Sequence, residues 1–240
     1  MERNVASAAR VAARGRKRSE SSRKAILRAA YDLIASDGYR ALTFEAVAAR
    51  SGAGRPTIYR WWPSKAALAI DALLSETPWA EARHEHSGSA ARDIRDAVHR
   101  MAKGLSGAYG KVLASVLAGA RDDPEILAMY KDRIAGPRRA VAINCLRYGI
   151  ETGEFRPDID MEAALDALLL PIFVKLMMGL GPISAEWIDR LAGLVLDAVA
   201  AGPKGSRPSL PSDAGALPAD NVARPRARRK VSRKRSSRAP

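Results

Sequence analysis

The chain has 240 residues, with 40 Lys and Arg against 26 Asp and Glu, a formal charge of +14, 47% apolar residues, 5% aromatics and one cysteine. So large an apolar fraction can build a core, which excludes a wholly disordered polycation, and the lone Cys145 excludes a disulfide framework or a thiolate metal site and points to a reducing compartment. The charge is unevenly spread: residues 1–24 carry +6, 25–75 carry +2, 76–202 carry −3 and 203–240 carry +9, so a nearly neutral body lies between two basic ends.

Residues 1–20 are Ala, Arg and Ser without hydrophobic period and read as a disordered basic arm. Arg3, Arg10, Arg14 and Arg16 precede any apolar run, so the h-region of a secretory signal is absent. The most apolar stretch, Ala167 to Val174, is far shorter than the ~20 residues that span a bilayer. A cytoplasmic protein without membrane attachment is expected.

From Ser22 the pattern changes. Ile26, Ala30, Leu33 and Ile34 form one stripe of a helix that ends at Asp37-Gly38. Thr43 can cap a second helix with Phe44, Val47 and Ala48 inward, and Gly52 ends it. Pro56 suits the first turn of a third helix, which stops at Trp61 or Trp62 before Pro63. Ser64 caps a fourth, Lys65 to about Ser75, apolar nearly all round as a buried connector would be. The region beyond stays helical: weakly patterned segments over 90–107 and 109–120, then a long helix from Pro124 to about Thr152. Its inner face carries Ile126/Leu127, Tyr130, Ile134, Val141, Cys145 and Tyr148, with a kink at Gly136-Pro137. Asp160 caps a helix through Met178, apolar on all faces. Ser184 caps a last one with Trp187/Ile188, Leu191, Leu194/Val195 and Ala198/Val199 inward. No strand alternation of useful length appears. Residues 203–240 hold 6 of the 14 prolines and the run Arg224 to Arg235, and read as a disordered tail.

The stretch Thr43 to Lys65, TFEAVAARSGAGRPTIYRWWPSK, has the spacing of a helix-turn-helix. Ala48 lets two helices approach, Gly52 makes the turn, and Ile58 with Val47 fills the shared core. The second helix then offers Arg55, Thr57, Tyr59, Arg60 and Trp61 to base edges and phosphates in a major groove. Together with Arg23-Lys-Ala-Ile-Leu-Arg-Ala-Ala, Leu33-Ile-Ala-Ser-Asp-Gly-Tyr, Leu42-Thr-Phe and Ser64-Lys-Ala, this stretch resembles the N-terminal domain of the TetR family of transcriptional regulators over residues 23–75. Farther on, Asp123-Pro-Glu, Pro137-Arg-Arg and Gly153-Glu-Phe-Arg-Pro-Asp resemble an actinobacterial-style subgroup of that family.

The resemblance implies an all-α fold: a three-helix helix-turn-helix domain with its connector over 21–75 and a larger ligand-binding and dimerisation bundle over 76–202. It implies a homodimeric repressor that leaves a palindromic, double-stranded operator when a small, largely apolar effector binds. Thr43, Tyr59 and Lys65 match phosphate contacts, and Arg55, Pro56, Thr57, Arg60 and Trp61 match groove-facing positions, although Trp61 is unusual there. Arg55 is the best placed for bidentate guanine readout. Effector contacts are expected among the helices from 105 to 178, at Leu105, Val116, Tyr130, Cys145, Tyr148 and Phe173, where Tyr130, Tyr148 and Phe173 could equally be core. The dimer seam is expected from helices 161–178 and 185–201 through Leu169, Leu176, Trp187, Leu191 and Val195.

Two other classes remain: a sequence-independent architectural DNA binder dominated by its tails, and an enzyme with a helical catalytic domain. Against the enzyme, the sequence has no Ser/His/Asp order, no paired catalytic carboxylates on one helix, no HExxH and no phosphate-cradling glycine loop. His84-Glu85-His86 offers two imidazoles without a third ligand and reads as a solvated linker, so neither metal nor cofactor is expected.

Overall fold

In a computed structural model the described residues are 2–77 and 87–202, with the backbone alone for 2–19. They form ten α-helices, α1 (Glu2–Asp37), α2 (Phe44–Ser51), α3 (Arg55–Trp61), α4 (Lys65–Ser75), α5 (Ala90–Leu105), α6 (Ala108–Gly119), α7 (Pro124–Tyr130), α8 (Gly136–Glu151), α9 (Met161–Met178) and α10 (Ala185–Val199). The sole β-type contact among them is a single bridge between Phe155 and Ala200. The expected all-α class is what the structure has. One departure lies at the start, where the arm expected over 1–20 is drawn into α1: Ala, Arg, Lys and Glu are among the strongest helix formers, and no proline occurs before Pro56. His84, His86 and the tail over 203–240 lie outside the described residues.

The N-terminal elements begin and end where local chemistry places them. Thr43, Ser64, Asp160 and Ser184 each accept a backbone N–H three residues on, from Ala46, Ala67, Ala163 and Trp187. Gly52 closes α2 in the left-handed region at φ 69°, which a residue without Cβ adopts freely. Ile26, Ile34, Leu42, Val47, Ile58 and Leu68 are fully buried or nearly so and make one core from α1 to α4. Helix α4 also packs against α6 and α7, so it is enclosed from both sides, as its all-round apolar pattern requires.

The helix expected over 124–152 is interrupted rather than simply kinked. Between α7 and α8 the segment Lys131–Ala135 is a π-turn, and the Gly136 N–H donates to the Lys131 carbonyl. Pro137 has no N–H for the Arg133 carbonyl and its ring would collide with it in a regular helix, so a wider turn absorbs the misfit. The weak patterning expected of 90–107 is also corrected. Ala90, Ile94, Val98, Ala102 and Leu105 form a continuous buried stripe, hidden in the sequence by the charges between them. Leu127 and Leu194, expected inward, are 43% and 74% exposed, because neighbours Ile126 and Ala192 take the core positions. The inner face of α10 is Ile188, Ala192, Leu196 and Val199.

The Gly153-Glu-Phe-Arg-Pro-Asp stretch has a definite structural part. Glu154 accepts from Ser89 Oγ at 2.7 Å and from the backbone N–H groups of Ala90 at 2.6 Å and Ala91 at 3.1 Å. A carboxylate there satisfies the free donors at the start of α5 and faces the positive end of its dipole. Phe155 is buried against Gly149, where an added Cβ would lie 2.2 Å from its ring, so only glycine admits this closure.

Candidate nucleic-acid interface and cavity

Helices α2 and α3 present a two-sided unit. Inside, Val47 and Ile58 are fully buried, and between the helices Ser51 Oγ accepts the Ala53 N–H at 3.2 Å, holding the turn. Outside, Arg55, Pro56, Tyr59 and Arg60 are exposed on α3, with Thr57 and Trp61 half-buried beside them. Tyr59 is 52% exposed, and its ring stands edge-on to Phe44 at 4.5 Å. Arg55 reaches Glu45 at 3.4 Å, an exposed pair that exchanges easily for a stronger anion.

The far end of α3 is anchored from below. Trp62 is 2% exposed, and its Nε1 donates to Asp71 Oδ2 at 2.9 Å, with Arg23 donating to the same oxygen at 3.0 Å. Trp62 is thus core, and Trp61 leans edge-on against it at 5.5 Å. Lys65 donates to the Arg40 carbonyl at 3.2 Å and stands 4.2 Å from the Tyr39 ring, and burial pulls its ammonium below the ordinary lysine range. Thr43 Oγ1 is occupied as the cap of α2, so what it leaves for an anion is the first turn's remaining N–H groups.

Comparison with known proteins agrees with this geometry. Residues 26–72 match the model of the bacterial regulatory proteins of the tetR family, and residues 84–195 match that of a tetracyclin repressor-like C-terminal domain. The HTH-type transcriptional regulator YdeS of Bacillus subtilis is 36% identical over 165 residues, covering 69% of this chain and 83% of YdeS. The chain belongs to the TetR family. A DNA-binding transcriptional repressor TetR of Mycobacteroides abscessus is 24% identical, covering 75% of this chain and 94% of its own. The solved structure of the TetR family transcription regulator SCO0332 superposes with a TM-score of 0.59 at 28% identity, over 74% of this chain and 98% of that one. This TetR-family chain is accordingly a DNA-binding transcriptional regulator and not an enzyme.

The regulator's second site lies in the body. A cavity of about 400 Å³ opens between α4, α5, the π-turn and α8 to α10. Leu74, Ile94, Val98, Leu165 and Leu168 are among its apolar lining, and its charged lining is Arg100, Arg133 and Arg138. Of the expected effector contacts, Cys145 lines it, with burial pushing the thiol up. Leu105, Val116 and Tyr130 are core residues away from the lining, and burial raises the Tyr130 phenol to about 12. Tyr148 and Phe173 are half-buried and also outside it.

Leu169 and Val195, expected at a dimer seam, line the cavity, and Leu176, Trp187 and Leu191 are half-buried against the core. The exposed apolar residues of these helices are instead Leu170, Val174, Met177 and Met178 on α9 and Leu194 on α10. Sequence reasoning missed the three cavity arginines, since an arginine between apolar positions reads as solvated surface.

Between the two sites runs a set of polar links. Tyr39 OH donates to Asp123 Oδ2 at 3.0 Å, and Ser115 Oγ accepts the Tyr39 N–H at 2.9 Å. Ser64 Oγ donates to Glu125 at 2.9 Å, Arg40 pairs with Asp122 at 3.2 Å, and Arg133 of the cavity wall approaches Asp71 to 2.6 Å. Among the described residues no group of three or more His, Cys, Asp or Glu is arranged to hold a metal ion, and no helix is long and apolar enough to cross a membrane.

Proposed function

We propose that this regulator is a homodimeric repressor, acting in the cytoplasm, that binds a palindromic operator and leaves it when a small, largely apolar effector enters the cavity. The observation that carries this reading is the asymmetry of α3, which buries Ile58 fully while Arg55, Tyr59 and Arg60 stay exposed. Arg55 reads guanine bidentately, Pro56, Thr57, Arg60 and Trp61 line the groove, and Thr43, Tyr59 and Lys65 meet phosphates. Residues 21–75 are the reading head and 76–202 the sensing and pairing body, with the basic ends over 1–20 and 203–240 adding sequence-independent attraction. Helices α9 and α10 pair with their copies through Leu170, Val174, Met178 and Leu194, an apolar set that suits a four-helix seam. Effector release follows linkage: a ligand that prefers the arrangement with displaced heads weakens DNA by the factor with which DNA weakens it.

Selection of bound duplexes from a random library is the test. The expected product is an inverted repeat with half-site centres roughly 34–36 Å apart or a multiple of it. Arg55→Ala then relaxes one base-pair position and costs ~1–3 kcal/mol on that duplex. A uniform loss on every sequence would make Arg55 a phosphate contact.

A further inference from the structure

Among the described residues the cavity's polar lining is Thr77, Arg100, Arg133 and Arg138, with no carboxylate residue in it. The rest of the described lining is aliphatic or sulfur-bearing, from Leu74 on α4 to Val199 on α10. A cationic guest would meet a wall whose charged described residues are all arginines. A neutral hydrocarbon would cover charged groups without replacing the water they lose. An amphipathic anion satisfies both halves, because a carboxylate accepts two parallel N–H bonds from one guanidinium and an alkyl body fills the aliphatic remainder.

One of those arginines is already in use, in a way that can be undone. Arg133 comes within 2.6 Å of Asp71 Oδ1, yet off the line of a hydrogen bond, so that this buried oxygen has no aligned donor. Its partner oxygen, Oδ2, receives Trp62 Nε1 and Arg23 and so braces the C-terminal end of α3. Arg133 sits on the π-turn, the irregular segment between α7 and α8, and is partly exposed. Leu74 and Thr77, just beyond Asp71 on the α4 side, share the cavity with it.

On the reading that this cavity is the effector site, we propose that the effector is an amphipathic carboxylate whose headgroup takes Arg133 away from Asp71, releasing α4 and the base of α3 from the body. Arg138 and Arg100 add positive potential along the same wall, and the alkyl body lies toward Leu165, Leu168 and Val195. Asp71 keeps Trp62 and Arg23 when Arg133 leaves, so the head stays folded while its tie to the π-turn is lost.

The full chain is titrated calorimetrically with octanoate, decanoate and dodecanoate, and with decan-1-ol and decyltrimethylammonium as neutral and cationic probes. Decanoate is expected to bind roughly tenfold or more tightly than decanol, with the cation weakest. Arg133→Gln is expected to remove that preference and leave decanol binding unchanged, whereas Arg133→Lys, which keeps the charge, restores part of it. On the selected duplex, decanoate weakens wild-type binding. Arg133→Gln starts weaker and does not respond further. Equal binding of decanol and decanoate, an undiminished preference in Arg133→Gln, or no binding across the carboxylate series overturns the proposal. Each of these leaves the duplex selection untouched, so a failed selection and a failed ligand class are told apart.

Discussion

The head's own core and the joint that fastens it to the body are built from different interactions. Within the head, Ile26, Ile34, Val47, Ile58 and Leu68 are closed off from water, and such packing has one good arrangement. At the joint, apolar contact between α4, α6 and α7 is supplemented by polar pairs: Tyr39 with Asp123, Ser64 with Glu125, Arg40 with Asp122 and Asp71 with Arg133. Those at the surface, Ser64 with Glu125 and Arg40 with Asp122, exchange partners with small net change, because water or another anion replaces what is lost. The contrast makes the head a rigid reader on an adjustable mount, which is what a regulator needs if a distant ligand is to move its recognition helix without unfolding it.

That contrast can be broken at graded points. The largest effect is expected at Ile58→Ala, which opens a hole between α2 and α3 and costs ~2–5 kcal/mol. Chemical denaturation followed by circular dichroism should show the head melting ahead of α5 to α10. Next is Gly119→Ala, whose Cβ would stand 2.4 Å from Cδ1 of Tyr39. Overpacking of that kind costs ~1–3 kcal/mol, and the displaced Tyr39 should change DNA affinity on the selected duplex while the head's own core stays intact. Ser64→Ala removes both the cap of α4 and the link to Glu125, and a loss of ~0.5–2 kcal/mol is expected by thermal unfolding.

Tyr39→Phe deletes a part-buried hydrogen bond for ~0.5–1.5 kcal/mol and carries a pH signature as well. Burial and the Asp123 bond hold the Tyr39 phenol above its usual value of 10.0, so the stability it adds is complete below pH 10 and fades as alkali ionises it in the folded chain. The variant should lose that share of the alkaline decline. The smallest effect belongs to Arg40→Ala: its pair with Asp122 is almost wholly in water, and a change within ~0.5 kcal/mol is expected.

The two regions also differ in how far they could be read without coordinates. In the head, the deciding features are local: Thr43 and Ser64 as caps, Gly52 as the left-handed stop, Pro56 in a first turn and Pro63 beyond a last one, each acting within a few residues of itself. The α3 positions follow from that framework, with Arg55, Tyr59 and Arg60 exposed and Ile58 buried. In the body the deciding features are distant. Nothing near Leu194 shows that Ala192 wins the core, and nothing near Leu169 or Val195 shows that α5 and α8 leave a cavity between them. Gly136-Pro137 announces an irregularity, but the spacing alone does not distinguish a kink from the π-turn over Lys131–Ala135 that the structure has. The arginines of the cavity needed the fold to become visible at all.

The most direct measurement is a competition experiment that sets the selected duplex against shuffled duplex of equal length at fixed salt, for the full chain and for a chain ending at Gly202. If specificity resides in residues 43–65 and the basic tail supplies only loose attachment, the selected duplex is held ~10³–10⁷ times more tightly, and truncation leaves the sequence preference intact while flattening the salt dependence of non-specific binding. A ratio near one, or a preferred sequence that changes when the tail is removed, would contradict this account.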